Sequence, residues 1–116
     1  MKLLHAFSPG MLVNAWEGKT VKFKKEELDA VLLLLKENGL ESCIGHENLA
    51  AVLSDKLGHA VVCSPKLIKL EAGETAILAQ YYGPCMTAET RELPDRGDIN
   101  FFSIRILPEP GRGYKE

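Results

Sequence analysis

The stretch KEELDAVLLLLKENG, residues 25–39, is followed two residues later by SCIGHENLAAVLSDKLG, residues 42–58, and together they decide the fold. In the first stretch, leucine and valine recur at intervals of three and four residues between Leu28 and Leu35. This spacing predicts an amphipathic helix over Lys25 to Asn38, because one face collects all the apolar side chains. Gly39 can supply the left-handed conformation that ends such a helix.

The second stretch combines two elements of different kinds. Ser42-Cys43-Ile44 is typical of a short strand, whereas Glu47 to Leu57 carries a second helical repeat that ends at Gly58. A helix, a strand and another helix in close succession favour an α/β protein over a pure helical bundle or a β-sandwich.

The rest of the chain supplies further strands around these helices. We predict a mixed β-sheet of about five strands flanked by helices, in one small domain over residues 1–107, followed by a flexible C-terminal tail over 108–116. A short helix is predicted to start at Ser8-Pro9, and Trp16 to anchor the core. The strand segments are Met1–Phe7, the alternating stretch around Val21 and Phe23, the weakly apolar Ala60–Val62 and Leu67–Leu70, Ala76–Tyr82, and Phe101–Ile106.

Composition excludes several classes of protein. The 116 residues amount to one domain, and 14 basic against 16 acidic side chains give a formal charge of −2. A strongly basic DNA-binding protein is therefore excluded, and Lys22, Lys24 and Lys25 are interpreted as a solvated strand end. The longest apolar run, Ala30 to Leu35, is far shorter than the ~20 residues of a membrane span, and no signal-peptide core is present, so no membrane partner is expected.

Three widely spaced cysteines, Cys43, Cys63 and Cys85, form no CxxC pair. Their odd number predicts reduced thiols and a cytoplasmic location. The three histidines lack the spacing of a zinc site, so we predict no metal and no cofactor.

Gly45-His46 is the position most suggestive of chemistry. It lies where a predicted strand ends and a predicted helix begins, and the free backbone N–H groups of a helix N-terminus attract anions, phosphate above all. Gly45 lets a ligand approach the backbone. A histidine here can act on a phosphodiester, although it can equally serve only as a helix cap.

Other polar and aromatic residues have a structural and a functional interpretation. His5 lies in the first predicted strand, where an edge histidine is common, and His59 follows a helix C-terminus, where its charge suits the dipole. Tyr81 and Tyr82 precede a long loop, Gly83 to Gly97, and they can stack on a nucleobase or simply point to opposite faces of the sheet.

Several motifs, taken in order, resemble those of a known family. His5-Ala6-Phe7-Ser8 with Met11-Leu12 resembles the opening Asn-Ala-Phe-Ser…Met-Leu motif of the small viral anti-CRISPR ring nucleases, and Ile44-Gly45-His46 resembles their Ile-Gly-His motif. Later matches are Gly73-Glu74, Ala79-Gln80-Tyr81, Gly83-Pro84 and the apolar segment Ile99–Ile106. The resemblance extends from about Leu3 to Ile106.

The resemblance implies a two-fold homodimer that binds cyclic tetra-adenylate, the second messenger of type III CRISPR defence. Such an enzyme cleaves the ring without metal to linear di-adenylate ending in a 2′,3′-cyclic phosphate, which switches the signal off. His46 matches the catalytic histidine of the family. The substrate-binding residues implied are His5, Ser8, Gly10, Met11, Gly45, Gln80, Tyr81, Gly83, Cys85, Glu89 and Arg91.

The chain departs from the family pattern at four positions, two in the opening motif and two in the loop. His5 stands where the family has Asn, and Gly10 where it has a polar residue. The family loop Gly-Pro-Arg-Leu-Pro-Glu-Gly corresponds to residues 83–89, so Cys85 replaces the arginine and Ala88 the glutamate. Arg91 and Arg96 are the candidates for the missing arginine, and Glu89, one residue further on, for the missing glutamate.

Three functions remain open from the sequence. The first is a ring nuclease, the second a protein of the same fold that sequesters a cyclic oligonucleotide with little turnover, and the third an interaction module that binds no nucleotide. The altered loop favours the second, whereas His46 favours the first.

Overall fold

The structure is a computed structural model that describes residues 1–12 and 20–107. The strands are β1 (Lys2–Leu4), β2 (Thr20–Glu26), β3 (Glu41–Ser42), β4 (Thr75–Tyr82) and β5 (Asp98–Leu107), and the helices are α1 (Leu28–Asn38) and α2 (Glu47–Leu57). A single 3-10 turn, Pro9–Met11, follows β1.

The five strands form one sheet in the order β2-β5-β4-β1-β3. β1 runs parallel to both β3 and β4, whereas β5 is antiparallel to both β2 and β4. The predicted α/β fold, a small single domain with a mixed sheet of about five strands, is confirmed, and the described residues form two α-helices.

The core has one layer on each face of the sheet. On one face, Leu3, Ile77 and Phe101 pack with the apolar sides of α1 and α2. On the other face, Leu4 and Ile104 pack with segments of irregular backbone that include Leu12 and Leu70. The sheet is therefore buried on both faces, which explains why β4 is almost continuously apolar.

The second helix matches its predicted bounds, whereas the first begins later than predicted. Lys25 and Glu26 belong to β2, where they pair with Phe102 and Phe101 of β5. Ser103 donates a hydrogen bond to the carboxylate of Glu26 at 2.7 Å, which holds the end of β2 on the sheet. Strand pairing therefore overrides the helical propensity of these residues, and the prediction that the helix begins at Lys25 is wrong.

The predicted strands Ala60–Val62 and Leu67–Leu70 are also wrong. The backbone N–H of Val61 bonds to the hydroxyl of Ser54, and the carbonyl of Val62 accepts a hydrogen bond from Ser42. Leu70 forms only an isolated bridge with Leu12. Side chains thus satisfy backbone groups that a strand would have satisfied by pairing.

The first and third strands are shorter than predicted. β1 ends at Leu4, so His5 lies just beyond the strand and not within it, and β3 ends at Ser42, although the N–H of Cys43 still bonds to the carbonyl of Leu3 at 2.9 Å. The predictions for Trp16 and for the tail 108–116 fall outside the described residues. The short helix predicted to start at Ser8-Pro9 is a 3-10 turn over Pro9–Met11, and the next residue, Leu12, forms a bridge with Leu70. Among the described residues, no helix has the length and apolarity needed to cross a membrane.

Candidate active site

His46 occupies the N-cap position of α2 and is exposed to solvent. Its backbone is extended, with φ −126° and ψ 129°, and its carbonyl accepts the N–H of Ala50 at 2.9 Å. The side chain forms no capping hydrogen bond. The imidazole therefore lies at the helix N-terminus without capping the helix, and it is accessible to a ligand.

His5 lies directly beside His46. The two rings meet edge to face, with centroids 5.0 Å apart and an interplanar angle of 70°. The pairing follows from topology, because β1 and β3 are parallel neighbours and the residues that follow them emerge at the same edge of the sheet. This histidine pair is the one cluster of imidazoles in the part of the chain that the structure describes.

Gly45 connects the two histidines through its backbone. Its N–H donates to Nδ1 of His5 at 3.4 Å, and a Cβ added at Gly45 would lie 3.4 Å from Cε1 of His5. That distance is ordinary van der Waals contact, so a Cβ would lie against the ring without displacing it. The missing side chain of Gly45 leaves open space beside His5.

The environment favours the neutral form of His5. Burial lowers the pKa of this half-buried imidazole below its ordinary value, and the neighbouring charge of His46 lowers the pKa further. A hydrogen bond to the backbone of Cys43 opposes both effects without reversing them. Near pH 7 His5 is a neutral hydrogen-bonding group.

The lowered pKa of His5 predicts a pH dependence of stability. The unfolded chain binds more protons at this site than the folded chain, so the free energy of unfolding falls as pH decreases below about 6.5 and through the lowered pKa. In His5→Asn this part of the dependence is lost. Urea unfolding between about pH 5 and pH 7.5 measures it. An unchanged slope in His5→Asn, relative to a control His59→Asn at an exposed site, would contradict the assignment.

Two clefts flank His46. The first, of about 440 Å³, is lined mainly by apolar and aromatic groups, and the second, of about 380 Å³, runs along the start of α2. The residues of the first are His46, Asn48, Leu49, Tyr81, Gly83, Cys85 and Met86, and those of the second are Gly45, His46, Glu47, Asn48, Cys63 and Ala88.

One hydrogen bond joins the loop between β4 and β5 to α2, and another joins it to the end of β4. Asn48 donates a hydrogen bond to the carbonyl of Thr87 at 3.1 Å, and the hydroxyl of Tyr81 donates to the carbonyl of Pro84. Gly83 has φ 142°, and a Cβ there would lie 2.6 Å from the Cα of Gly97. Only glycine therefore fits where the two ends of the loop meet.

The structure brings together part of the predicted site. His5, Gly45 and His46 form its centre, and Gln80 joins them by donating to the carbonyl of His5 at 3.2 Å. Tyr81, Gly83 and Cys85 line the first cleft. Tyr81 is half-buried and Tyr82 is 49% exposed, as expected for neighbours on opposite faces of a strand.

Other predicted site residues lie elsewhere. Ser8, Gly10 and Met11 line neither cleft, and Met11 packs against the core on the face of the sheet opposite the helices. Arg91 donates to the carbonyls of Ala88 and Thr90 within its own loop. Arg96 and Glu89 are exposed and also line neither cleft.

Sequence reasoning missed Asn48 and Met86. Both line the first cleft, and Asn48 also fixes the loop. Asn48 lies two residues after His46, in the first turn of α2, so its proximity to the site was readable from the helix prediction. The contact of Met86 depends on the path of an irregular loop, for which the sequence carries no periodic signal.

Two of the three cysteine thiols, those of Cys85 and Cys43, lie in opposite environments, which predicts their relative rates of alkylation. Cys85 is exposed in the first cleft, whereas Cys43 is buried and burial raises the pKa of its thiol. Iodoacetamide is expected to alkylate Cys85 at least about tenfold faster than Cys43, because the thiolate is the reactive form. Peptide mass spectrometry resolves the two rates. Comparable labelling of Cys43 in the folded protein would contradict the described core.

No group of three or more histidine, cysteine, aspartate or glutamate side chains among the described residues lies close enough to hold a metal ion.

Fold and site together define a small α/β protein with a mixed five-stranded sheet and a histidine pair at a strand-to-helix junction. A family model of STIV B116-like proteins matches residues 3–92, and the chain belongs to the STIV B116-like family. The solved structure of B116 of Sulfolobus turreted icosahedral virus (STIV) superposes with a TM-score of 0.73, covering 90% of this chain and 97% of that chain at 20% identity. That likeness concerns the fold alone. Comparison with curated proteins gave no match.

Proposed function

We propose that this chain is a metal-independent ring nuclease that binds cyclic tetra-adenylate across a homodimer and cleaves it to linear di-adenylate. The observation that carries the proposal is the imidazole of His46 at the N-terminus of α2. It is exposed, it forms no capping hydrogen bond, and it lies between two clefts. The resemblance of the motifs around His5 and His46 to those of the viral ring nucleases supports it.

The start of α2 suits a phosphate. The first N–H groups of a helix lack carbonyl partners within the helix and carry the positive end of its dipole, and in α2 one of them, the N–H of Leu49, donates to Oδ1 of Asn48 at 2.7 Å. Gly45, without a side chain, leaves the backbone open at this point. A phosphodiester seated here places its oxygens next to the ring of His46.

RNA supplies its own nucleophile for the reaction. The ribose 2′-oxygen attacks the adjacent phosphorus and loses its proton to water. A P–O2′ bond forms, the P–O5′ bond breaks, and the products carry a 2′,3′-cyclic phosphate and a 5′-hydroxyl. His46, as an imidazolium stabilised by the adjoining phosphate, donates a proton to the leaving 5′-oxygen. Such a general acid contributes about 10²–10⁴-fold to the rate, and the alignment of the 2′-oxygen contributes a proximity term.

His5 supports the reaction as a neutral group. Its lowered pKa makes it a poor replacement for the cationic arginine of the family loop. Its contacts with Gly45 and His46 let it fix the backbone and the ring that face the phosphate.

The first cleft is suited to an adenine. Leu49, Tyr81 and Met86 offer apolar and aromatic surface, and base stacking on an aromatic side chain contributes about 1–3 kcal/mol. Because the substrate ring is nearly symmetric, a two-fold dimer presents a copy of His46 to each of two opposite phosphates. Two cuts then release two di-adenylates.

A specific observation supports a second function, sequestration of the cyclic oligonucleotide without turnover. Cys85 stands in the cleft where the family has arginine, and Arg91 bonds to its own loop. Loss of one charge-assisted donor to a transition-state oxygen costs about 3–4 kcal/mol, a hundredfold or more in rate.

Radiolabelled cyclic tetra-adenylate, incubated with excess protein in EDTA, distinguishes the possibilities. Linear di-adenylate is the expected product. Retention of the intact ring on the protein would establish sequestration, and absence of binding would overturn both functions and leave an interaction module. Cyclic tri- and hexa-adenylate in the same assay test the preferred ring size.

A further inference from the structure

A separate polar cleft, of about 270 Å³ and distinct from the two that flank His46, lies where β2, β5 and the start of β4 face α1. Three exposed cations, Lys22, Lys24 and Arg105, dominate its lining, with the hydroxyl groups of Thr75 and Ser103 beside them. We call this site the basic cleft. Its remaining lining residues are Glu26 and Leu34.

The strand register forces two like charges together in the basic cleft. Lys22 is directly opposite Arg105 in the antiparallel pair of β2 and β5, and Lys24 is one step along the same face, opposite Ser103. Directly opposed side chains have Cβ atoms about 4.5–5.5 Å apart, and like charges at that distance destabilise a sheet. The arrangement therefore costs stability unless an anion offsets it.

In the described part of the chain, few carboxylates offset the positive charges of the basic cleft. The two salt bridges within it use Lys2 and Lys66, and neither involves the cations of the basic cleft. Glu26 is the one carboxylate that lines the cleft, and its oxygen is engaged by the hydroxyl of Ser103 at 2.7 Å. The lining side chains keep a net positive charge in a protein whose overall charge is −2.

The basic cleft is remote from the histidine pair. Arg105 pairs with Thr75 at the beginning of β4, whereas Tyr81 of the first cleft lies six residues further along that strand. Six residues of extended chain span roughly 20 Å. The two sites therefore do not share a ligand-sized space, and they can be altered separately.

We propose that the basic cleft binds a short phosphate chain, with diphosphate as its minimal ligand. The guanidinium of Arg105 matches the geometry of phosphate oxygens, and the two lysines add point charges. The volume of the cleft, about 270 Å³, leaves room for an ion of the size of diphosphate. The ligand is either free diphosphate or the diphosphate end of a nucleotide.

Isothermal titration with pyrophosphate, and separately with ADP, tests the site. Lys22→Gln and Arg105→Gln are each expected to weaken pyrophosphate binding about tenfold, and the double variant about a hundredfold, because each removes a charge-assisted contact. The matched control Lys69→Gln removes one exposed positive charge elsewhere and should stay within about twofold of the unaltered chain.

The two ligands and a melting experiment make the outcome decisive. Similar affinity for pyrophosphate and ADP identifies the phosphate chain itself as the ligand, whereas tighter binding of ADP, lost in Arg105→Gln, identifies a nucleotide diphosphate. Pyrophosphate is also expected to raise the melting temperature of the unaltered chain and of Lys69→Gln, but not that of the double variant. Equal binding in all variants, or pyrophosphate binding no tighter than sulfate binding at equal ionic strength, would overturn the proposal. Ring cleavage in Arg105→Gln is expected to equal that of the unaltered chain, so the two proposed sites fail or succeed independently.

Discussion

His46→Ala is expected to lower the single-turnover rate of ring cleavage by about 10²–10⁴-fold, the contribution of a positioned general acid. Substrate binding should change little, because the backbone N–H groups at the start of α2 remain in place. The fold should also persist, since the side chain of His46 forms no capping hydrogen bond. Rate and affinity are measured by quenched-flow cleavage and by filter binding of labelled cyclic tetra-adenylate.

His59→Ala is the matched control for this experiment. His59 is also an exposed histidine, but it follows the other end of α2 and lines neither cleft. Its rate should equal that of the unaltered chain. If His46→Ala cleaved within about threefold of the unaltered rate, the imidazole would not be the general acid.

Leu53→Ala is expected to have the largest effect on stability, a loss of about 2–5 kcal/mol. Leu53 is fully buried between α2 and the sheet, so the truncation leaves a cavity beneath the helix that positions His46. The melting temperature should fall by roughly 6 °C or more. Thermal and urea unfolding followed by circular dichroism give both quantities.

Leu33→Ala provides the control, because Leu33 is the same residue type on α1 and is 56% exposed. Its free energy of unfolding should change by no more than about 1 kcal/mol. Equal losses in the two variants would mean that α2 does not pack on the sheet as described.

The sequence predicted those elements whose signals are local. The bounds of α2 follow from its apolar repeat and from Gly58, which adopts the left-handed conformation with φ 70°. The strand β4 follows from its apolar run. By contrast, Lys25 and Glu26 join β2 only because β5 is there to pair with them, and that pairing is set by the tertiary structure.

The position of His46 at the centre of the candidate site was predictable from the sequence, whereas its contacts and the surrounding loop residues were not. His46 could be placed at a helix start from the sequence, whereas its contact with His5 required the strand order β4-β1-β3, which no local pattern specifies. The loop residues Arg91 and Glu89 could not be placed, because an irregular backbone has no period to read. The position of Arg105 opposite Lys22 was also not predictable, since only the strand register sets it.

The ends of the reaction products test the central claim most directly. After incubation of cyclic tetra-adenylate with the protein in EDTA, mass spectrometry is expected to find di-adenylate with a 2′,3′-cyclic phosphate at one end and a 5′-hydroxyl at the other. These ends require attack by the ribose 2′-oxygen and protonation of the 5′-oxygen, the step assigned to His46. A product with a 5′-phosphate and a 3′-hydroxyl, or a ring that survives excess protein intact, would contradict the account.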